Sequence, residues 1–285
     1  MLSAKMRRGG VSFFPLVPRK KESDKTAYGH VLAVAGSDVY PGAALLTARA
    51  ALLAGSGLVT LAVPGLIRAA VLKKFPPEVM PLFYKNAPTP LLLKTIRQRR
   101  INALALGPGL GREAGTSRWV RGLVRAAGVP IVLDADGLNA FKGRSQELKK
   151  RRGPLVLTPH EREFQRLFGA SVPASLSKKA ALAKKLSKSC DSVIVLKGHK
   201  TLVVYRDRTF TNGTGNPGMA KGGSGDVLTG VIAAFIAQGM HPFQASVWGV
   251  YFHGKAGDMG VKQTSEMSLT ATDLIEFLPK SFLKK

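Results

Sequence analysis

The chain has 285 residues, 45% of them hydrophobic and 21% charged, which excludes a disordered tail and supplies the core of one large α/β domain or two small ones. Lys and Arg outnumber Asp and Glu by 43 to 17, for a net charge of +26, a balance that suits anionic small molecules or nucleic acid. No apolar run nears the roughly 20 residues of a membrane span, and with Cys190 as the only cysteine an internal disulfide is excluded and a reducing cytoplasm is the expected compartment.

Residues 1–20 hold basic residues and no acids, and their apolar piece, 11–17, is broken by Pro15. A secretory signal needs a longer apolar core and a small-residue cleavage site. Residues 1–19 therefore read as a surface extension and 20–285 as a single domain. The first strand is expected at 30–35 and the first long helix at 43–54. Further strands are expected at 58–63, 101–106, 130–133, 155–157 and 193–196. These are continuous Val, Ile and Leu runs, the pattern of strands buried on both faces. Their alternation with helix-length segments predicts a mostly parallel sheet with helices on both sides. Residues 202–205 and 208–210 flank Asp207 as an antiparallel hairpin. Helices at 225–238, 242–257 and 272–278 close the chain.

The basic clusters fall at 97–100, 142–152 and 178–188. The last is a helix pattern with lysines and leucines on different faces, as on a solvated surface. No aromatic-rich basic motif or zinc spacing accompanies them, so nucleic-acid binding rests on charge alone.

Polar and small residues follow nearly every predicted strand, at the edge where open α/β sheets bind ligands. Gly36-Ser37-Asp38 follows the first strand. Gly107-Pro108-Gly109-Leu110-Gly111 follows another, and it is neither a P-loop nor a GxGxxG fingerprint. Asp134, Asp136 and Asn139 follow the next; one of the two acids is expected to cap a helix. His160 and Glu163 share one face of a helix start. Glu163 reads either as a helix-start acid or as a magnesium-associated carboxylate. His253 and Asp258, in HGKAGD, read as structural, with Gly254 and Gly257 marking close helix packing.

The densest signal is Gly222-Gly223-Ser224-Gly225-Asp226, followed at once by an apolar helix. Glycines permit a tight turn, and the first amides of the helix lack partners within it, which suits a phosphate. A carboxylate beside a phosphate site is repulsive, so Asp226 makes sense as a group that handles a proton.

Together these segments resemble a known family. In order they are YGHVLAVAGS, YPGAALLTARAALLAGSGLVTLAVP, ALALGPGLG, VLDADGLN, LTPHEREF, VLKGHKT, GNPGMAKGGSGDVLTG and HGKAGD. Over residues 20–278 the chain is similar to the ADP/ATP-dependent NAD(P)H-hydrate dehydratases, a branch of the ribokinase-like superfamily. The resemblance implies a three-layer sandwich. It also implies removal of water from the S epimer of hydrated NADH or NADPH at the expense of a nucleotide phosphate. By resemblance, Gly223, Ser224 and Gly225 form an anion hole and Asp226 is the base. Ala43, Gly109, His160 and Asp226 contact the hydrated cofactor. Lys197, Gly198, His199, Lys200, Thr201 and Gly225 contact the adenine nucleotide. Glu163 falls where the superfamily keeps a glutamate associated with Mg2+, here held through water, although His160 stands where the sugar kinases have asparagine. ADP is expected as phosphoryl donor, with ATP the alternative. A tetramer and a separate upstream epimerase are implied partners, since too few residues precede the first strand to hold an epimerase domain. The rival readings are a small-molecule kinase of the same superfamily and a nucleic-acid-binding protein.

Overall fold

The computed structural model describes residues 19–283. The expected N-terminal extension, apart from Arg19, lies outside them. In chain order the elements are β1 (His30–Val34), α1 (Pro41–Leu53), β2 (Leu58–Pro64), α2 (Arg68–Leu72), β3 (Met80–Tyr84), α3 (Thr89–Gln98), β4 (Ala103–Leu106) and α4 (Ala114–Ala126). Then come β5 (Ile131–Leu133), α5 (Ala135–Asn139), β6 (Leu155–Leu157), α6 (Glu161–Phe168), α7 (Leu176–Cys190) and β7 (Val193–Leu196). The chain ends in β8 (Leu202–Tyr205), β9 (Arg208–Thr211), α8 (Ser224–Ala237), α9 (Pro242–Gly260) and α10 (Ala271–Ser281).

Among the described residues one nine-stranded sheet runs β3-β2-β1-β4-β5-β6-β7-β8-β9. The pairs from β3 to β7 are parallel. β8 and β9 are antiparallel, as the hairpin pattern predicts. The strand reversal beside β1, where β2 and β4 flank it, places a crevice at the carboxyl ends of those strands.

Each parallel strand divides its side chains between two cores. Val31 and Ala33 join the core shared by α1, α8, α9 and α10, whereas Leu32 and Val34 join that of α3, α4, α6 and α7. This is the period-2 geometry of a strand covered on both faces, and it makes the three layers.

β3 is absent from the strands expected above. It contains Pro81, follows Pro76-Pro77 and is half-exposed at the sheet edge, so it lacks the apolar run that marks its neighbours. α1 starts two residues earlier than expected because Pro41 occupies its first turn, where a missing N–H costs nothing.

The small residues of α1 pack inside the chain. Ala44, Thr47, Ala48 and Ala51 are buried, and a Cβ on Gly230 of α8 would lie 2.3 Å from the Thr47 carbonyl oxygen. The two helices thus approach almost backbone to backbone. Gly230→Ala is expected to force them apart, costing about 1–3 kcal/mol and lowering the midpoint of thermal unfolding by roughly 2–6 °C. An unchanged midpoint would mean the helices are free to slide.

Candidate active site

α8 begins at Gly223, whose φ of 90° lies in the left-handed region. A Cβ there would meet the Leu46 side chain at 2.7 Å, so glycine answers both the conformation and the space. Among the described residues no side chain caps α8. Among the described residues the amides of Gly225 and Asp226 have no acceptor, which leaves a half-buried set of unpaired donors with the positive end of the helix behind them. The buried His253 supports this turn from beneath. Its Nε2 donates to the Ser224 carbonyl at 3.0 Å, and burial lowers the ring to about 4, so it is neutral. Asp258, from the same helix, accepts from the Gly215 amide at 2.9 Å and from Asn216 at 3.1 Å. The structural reading of both residues holds, and their work is to fix the loop leading into α8.

Asp226 lies in the first turn of α8 and lines a cleft of roughly 1630 Å³. Burial, then the neighbouring Asp134, push its carboxyl up to about 7 against the opposing pull of Lys197. A carboxylate poised there is suited to accept a proton near neutral pH.

Ala43 and Gly109 line the same cleft and adjoin one another: a Cβ on Gly109 would lie 2.9 Å from that of Ala43. Gly109 has a φ of 63°, so the loop after β4 is pressed flat against the start of α1. Asp136 fixes this loop by accepting from the Gly111 amide at 2.9 Å and from Arg112 Nε at 3.1 Å.

Neither acid after β5 caps a helix through its side chain, which corrects the sequence expectation. Asp134 does occupy the position before α5, but without a capping bond. Its carboxylate, 1% exposed, instead accepts from Lys197 Nζ at 2.7 Å and from Thr229 Oγ1 at 2.8 Å. Glu163 Oε2 is 3.8 Å from the same ammonium. Burial works against the charge on Lys197, but Asp134 and Glu163 outweigh it and hold the amine above its ordinary value. A side chain at position 225 would begin 3.2 Å from Lys197 Nζ, so the ammonium sits directly beside the glycine turn. The sequence offered no signal for this arrangement. Lys197 and Thr229 are 63 and 95 positions from Asp134 along the chain, and the three meet only because β5, β7 and α8 converge.

His160 and Lys197 are brought side by side. The β6–β7 ladder continues past the strand ends as a bridge between them, with the Lys197 amide bonded to the Pro159 carbonyl at 2.9 Å. His160 caps α6: its Nδ1 accepts from the Arg162 and Glu163 amides, while Glu163 Oε2 accepts from the His160 amide at 2.9 Å. With Nδ1 accepting, the ring proton is assigned to Nε2, 3.4 Å from Glu163 Oε1. Burial, and then Lys197, lower the pKa of His160; burial raises that of Glu163, with Lys197 opposing. The helix-start reading of Glu163 is thus realised as a capping box. Glu163 also lines the cleft, whereas His160 and residues 197–201 are outside its lining. His199 and Lys200 are exposed on the turn after β7, where Thr201 Oγ1 donates to the Gly198 carbonyl at 3.0 Å. His160→Ala is expected to cost about 0.5–2 kcal/mol through loss of the cap, read as a lower denaturant midpoint. A midpoint equal to that of the wild type would remove the capping role.

Among the described residues no three His, Cys, Asp or Glu side chains form a cluster able to hold a metal. Both Glu163 oxygens already face donors, and Lys197 sits where a bare cation would meet Asp134 and Glu163. That donor set fits an ion arriving on phosphates with its waters, as Mg2+ does, rather than an all-protein cage. No described helix is long and apolar enough to cross a membrane.

A family model described as NAD(P)H-hydrate dehydratase matches residues 31–280. The bifunctional NAD(P)H-hydrate repair enzyme Nnr of Moorella thermoacetica is 41% identical over 271 residues, covering 92% of this chain and 51% of that protein. This chain therefore spans about half the length of such bifunctional relatives. The ADP-dependent (S)-NAD(P)H-hydrate dehydratase of Bacillus subtilis is 34% identical, with 93% of each chain covered. A crystal structure of the ADP/ATP-dependent NAD(P)H-hydrate dehydratase from Bacillus subtilis, co-crystallised with ATP/Mg2+, superposes with a TM-score of 0.81 at 33% identity, covering 93% of each chain.

Proposed function

This chain belongs to the NAD(P)H-hydrate dehydratase family, and from that premise we propose that it dehydrates the S epimer of hydrated NADH or NADPH with ADP as phosphoryl donor, returning NAD(P)H, phosphate and AMP. The observation that carries the reading is the meeting of Asp226, raised to about 7, with the open amides of α8 at the end of a cleft lined by Ala43 and Gly109.

Asp226 takes the proton of the ring hydroxyl as that oxygen attacks the terminal phosphorus of the nucleotide. Gly223, Ser224 and Gly225 present the turn whose donors stabilise charge on the transferring group. Lys197, fixed by Asp134, adds a cation beside it. The ring nitrogen then helps expel phosphate, and the neighbouring carbon gives up the proton that hydration had added. The ring double bond is restored without net oxidation. Gly198, His199, Lys200 and Thr201 are the proposed adenine-nucleotide turn, and His160 is proposed to contact the hydrated cofactor from the adjoining strand end. Mg2+, when bound, would neutralise phosphate charge, with Glu163 holding it through water. A homotetramer, an epimerase supplying the S form and a cytoplasmic setting complete the proposal. The buried free thiol of Cys190 suits that compartment.

The test mixes the protein with hydrated NADH, Mg2+ and either ADP or ATP, following absorbance of the reduced nicotinamide and released phosphate. A rise in both signals supports the dehydratase. A stable phosphorylated product with no free phosphate would make the protein a kinase.

A further inference from the structure

The proposed chemistry uses the end of the cleft near Asp226 and leaves a far arm with no role. That arm lies beyond the carboxyl end of β3, at the edge of the sheet and four strands from β5. At the usual strand spacing this is about 19 Å, too far for the nicotinamide riboside alone. The cleft is also larger than the roughly 300–1,000 Å³ of an ordinary small-molecule site.

The walls of the arm are built for a nucleoside and a phosphate. Tyr84 and Trp119 meet edge to face, with centroids 6.2 Å apart, and Thr89 Oγ1 ties the Trp119 carbonyl to α3 at 3.1 Å. Tyr84 is 7% exposed and lines the cleft, yet its hydroxyl makes no hydrogen bond among the described residues. Burial raises its pKa, so it stays a neutral donor. The hydroxyl opens onto the cleft, where an acceptor on a ligand can take its hydrogen bond. Lys85 and Arg118, both exposed, add two cations to the lining, and neither is in an ion pair among the described residues. Arg112, nearby, is already engaged by Asp136. The proposed nucleotide turn, at β7, lies on the opposite side of Asp226 in the strand order, so the donor nucleotide does not compete for this arm.

We infer that the far arm holds the adenosine half of the hydrated dinucleotide, and that Lys85 and Arg118 select the form carrying a 2′-phosphate, hydrated NADPH over hydrated NADH. The inference rests on the dehydratase reading. An aromatic wall accepts the base by stacking, Tyr84 supplies a donor, and an ammonium with a guanidinium is a strong pair for a phosphate dianion.

The test has two readouts. One is kcat/KM for hydrated NADPH and hydrated NADH. The other is calorimetric binding of adenosine 2′,5′-bisphosphate against adenosine 5′-monophosphate, with the donor site saturated by a non-hydrolysable ATP analogue. The wild type is expected to favour the 2′-phosphorylated ligand by about tenfold or more in both. The surface double variant Lys85→Gln/Arg118→Gln should bring each ratio close to one. A wild-type ratio near one, or a preference that survives the double variant, overturns the inference. If neither hydrate is turned over, the dehydratase reading fails, while the calorimetry still decides whether the arm binds a 2′-phosphoadenosine.

Discussion

Asp226→Asn should lower turnover of hydrated cofactor by about 100-fold or more while nucleotide affinity holds. The side chain faces the cleft at the start of α8 and its isostere keeps the packing, so what is lost is the proton acceptor. In the wild type, kcat/KM should fall about tenfold per pH unit below pH 7, since the base acts ionised and its folded value is about 7. Asp134, Asp136, Glu163 and Lys197 are the charged groups that set this value, after burial.

The same shift has a stability consequence of opposite sense. The folded value is raised above the ordinary 3.8, so the carboxyl favours the native state while protonated. That contribution is complete below about pH 4 and is lost as pH rises through 7. Above pH 7 the buried carboxylate costs up to about 4 kcal/mol. Asp226→Asn should therefore unfold at a higher temperature than the wild type at pH 8, with the gap closing towards pH 4. Wild-type-like turnover in this variant would sink the base assignment. An equal thermal midpoint at both pH values would sink the electrostatic account.

Asp134→Ala is expected to cost about 3–5 kcal/mol, because removing one partner of a buried ion pair strands the other. Lys197, 19% exposed at its side chain, would keep Glu163 at 3.8 Å and the more distant pull of Asp226, and Thr229 would lose its acceptor. Asp134→Asn should cost less by keeping an acceptor for Thr229. Turnover should fall with either change, since the ammonium beside Gly225 loses its anchor. A thermodynamic cycle isolates the pair: adding Lys197→Met to Asp134→Ala should recover part of the lost stability by removing the stranded charge. Additive losses would show that the two residues do not act together.

Much of the scaffold was legible because burial on both faces writes itself into sequence. The strands 155–157, 193–196 and 202–205 fall where the Val and Leu runs place them. Met80–Tyr84 was not legible, because an edge strand covered only in part carries no such run. Its omission also hid the far arm of the cleft, whose aromatic wall begins at Tyr84.

The glycine turn and its aspartate could be read from sequence by themselves, since a left-handed residue, a helix start and a carboxylate are local properties. The environment of that aspartate could not. A carboxyl near 7 depends on Asp134, Asp136, Glu163 and Lys197 arriving from three separate segments, and interactions between charges depend on distance in space. The sequence determined which groups are present and which short turns present them. The tertiary structure decided that Asp134 holds Lys197 rather than capping α5, because only the strand order, with β6 alone between β5 and β7, brings their atoms within 3 Å.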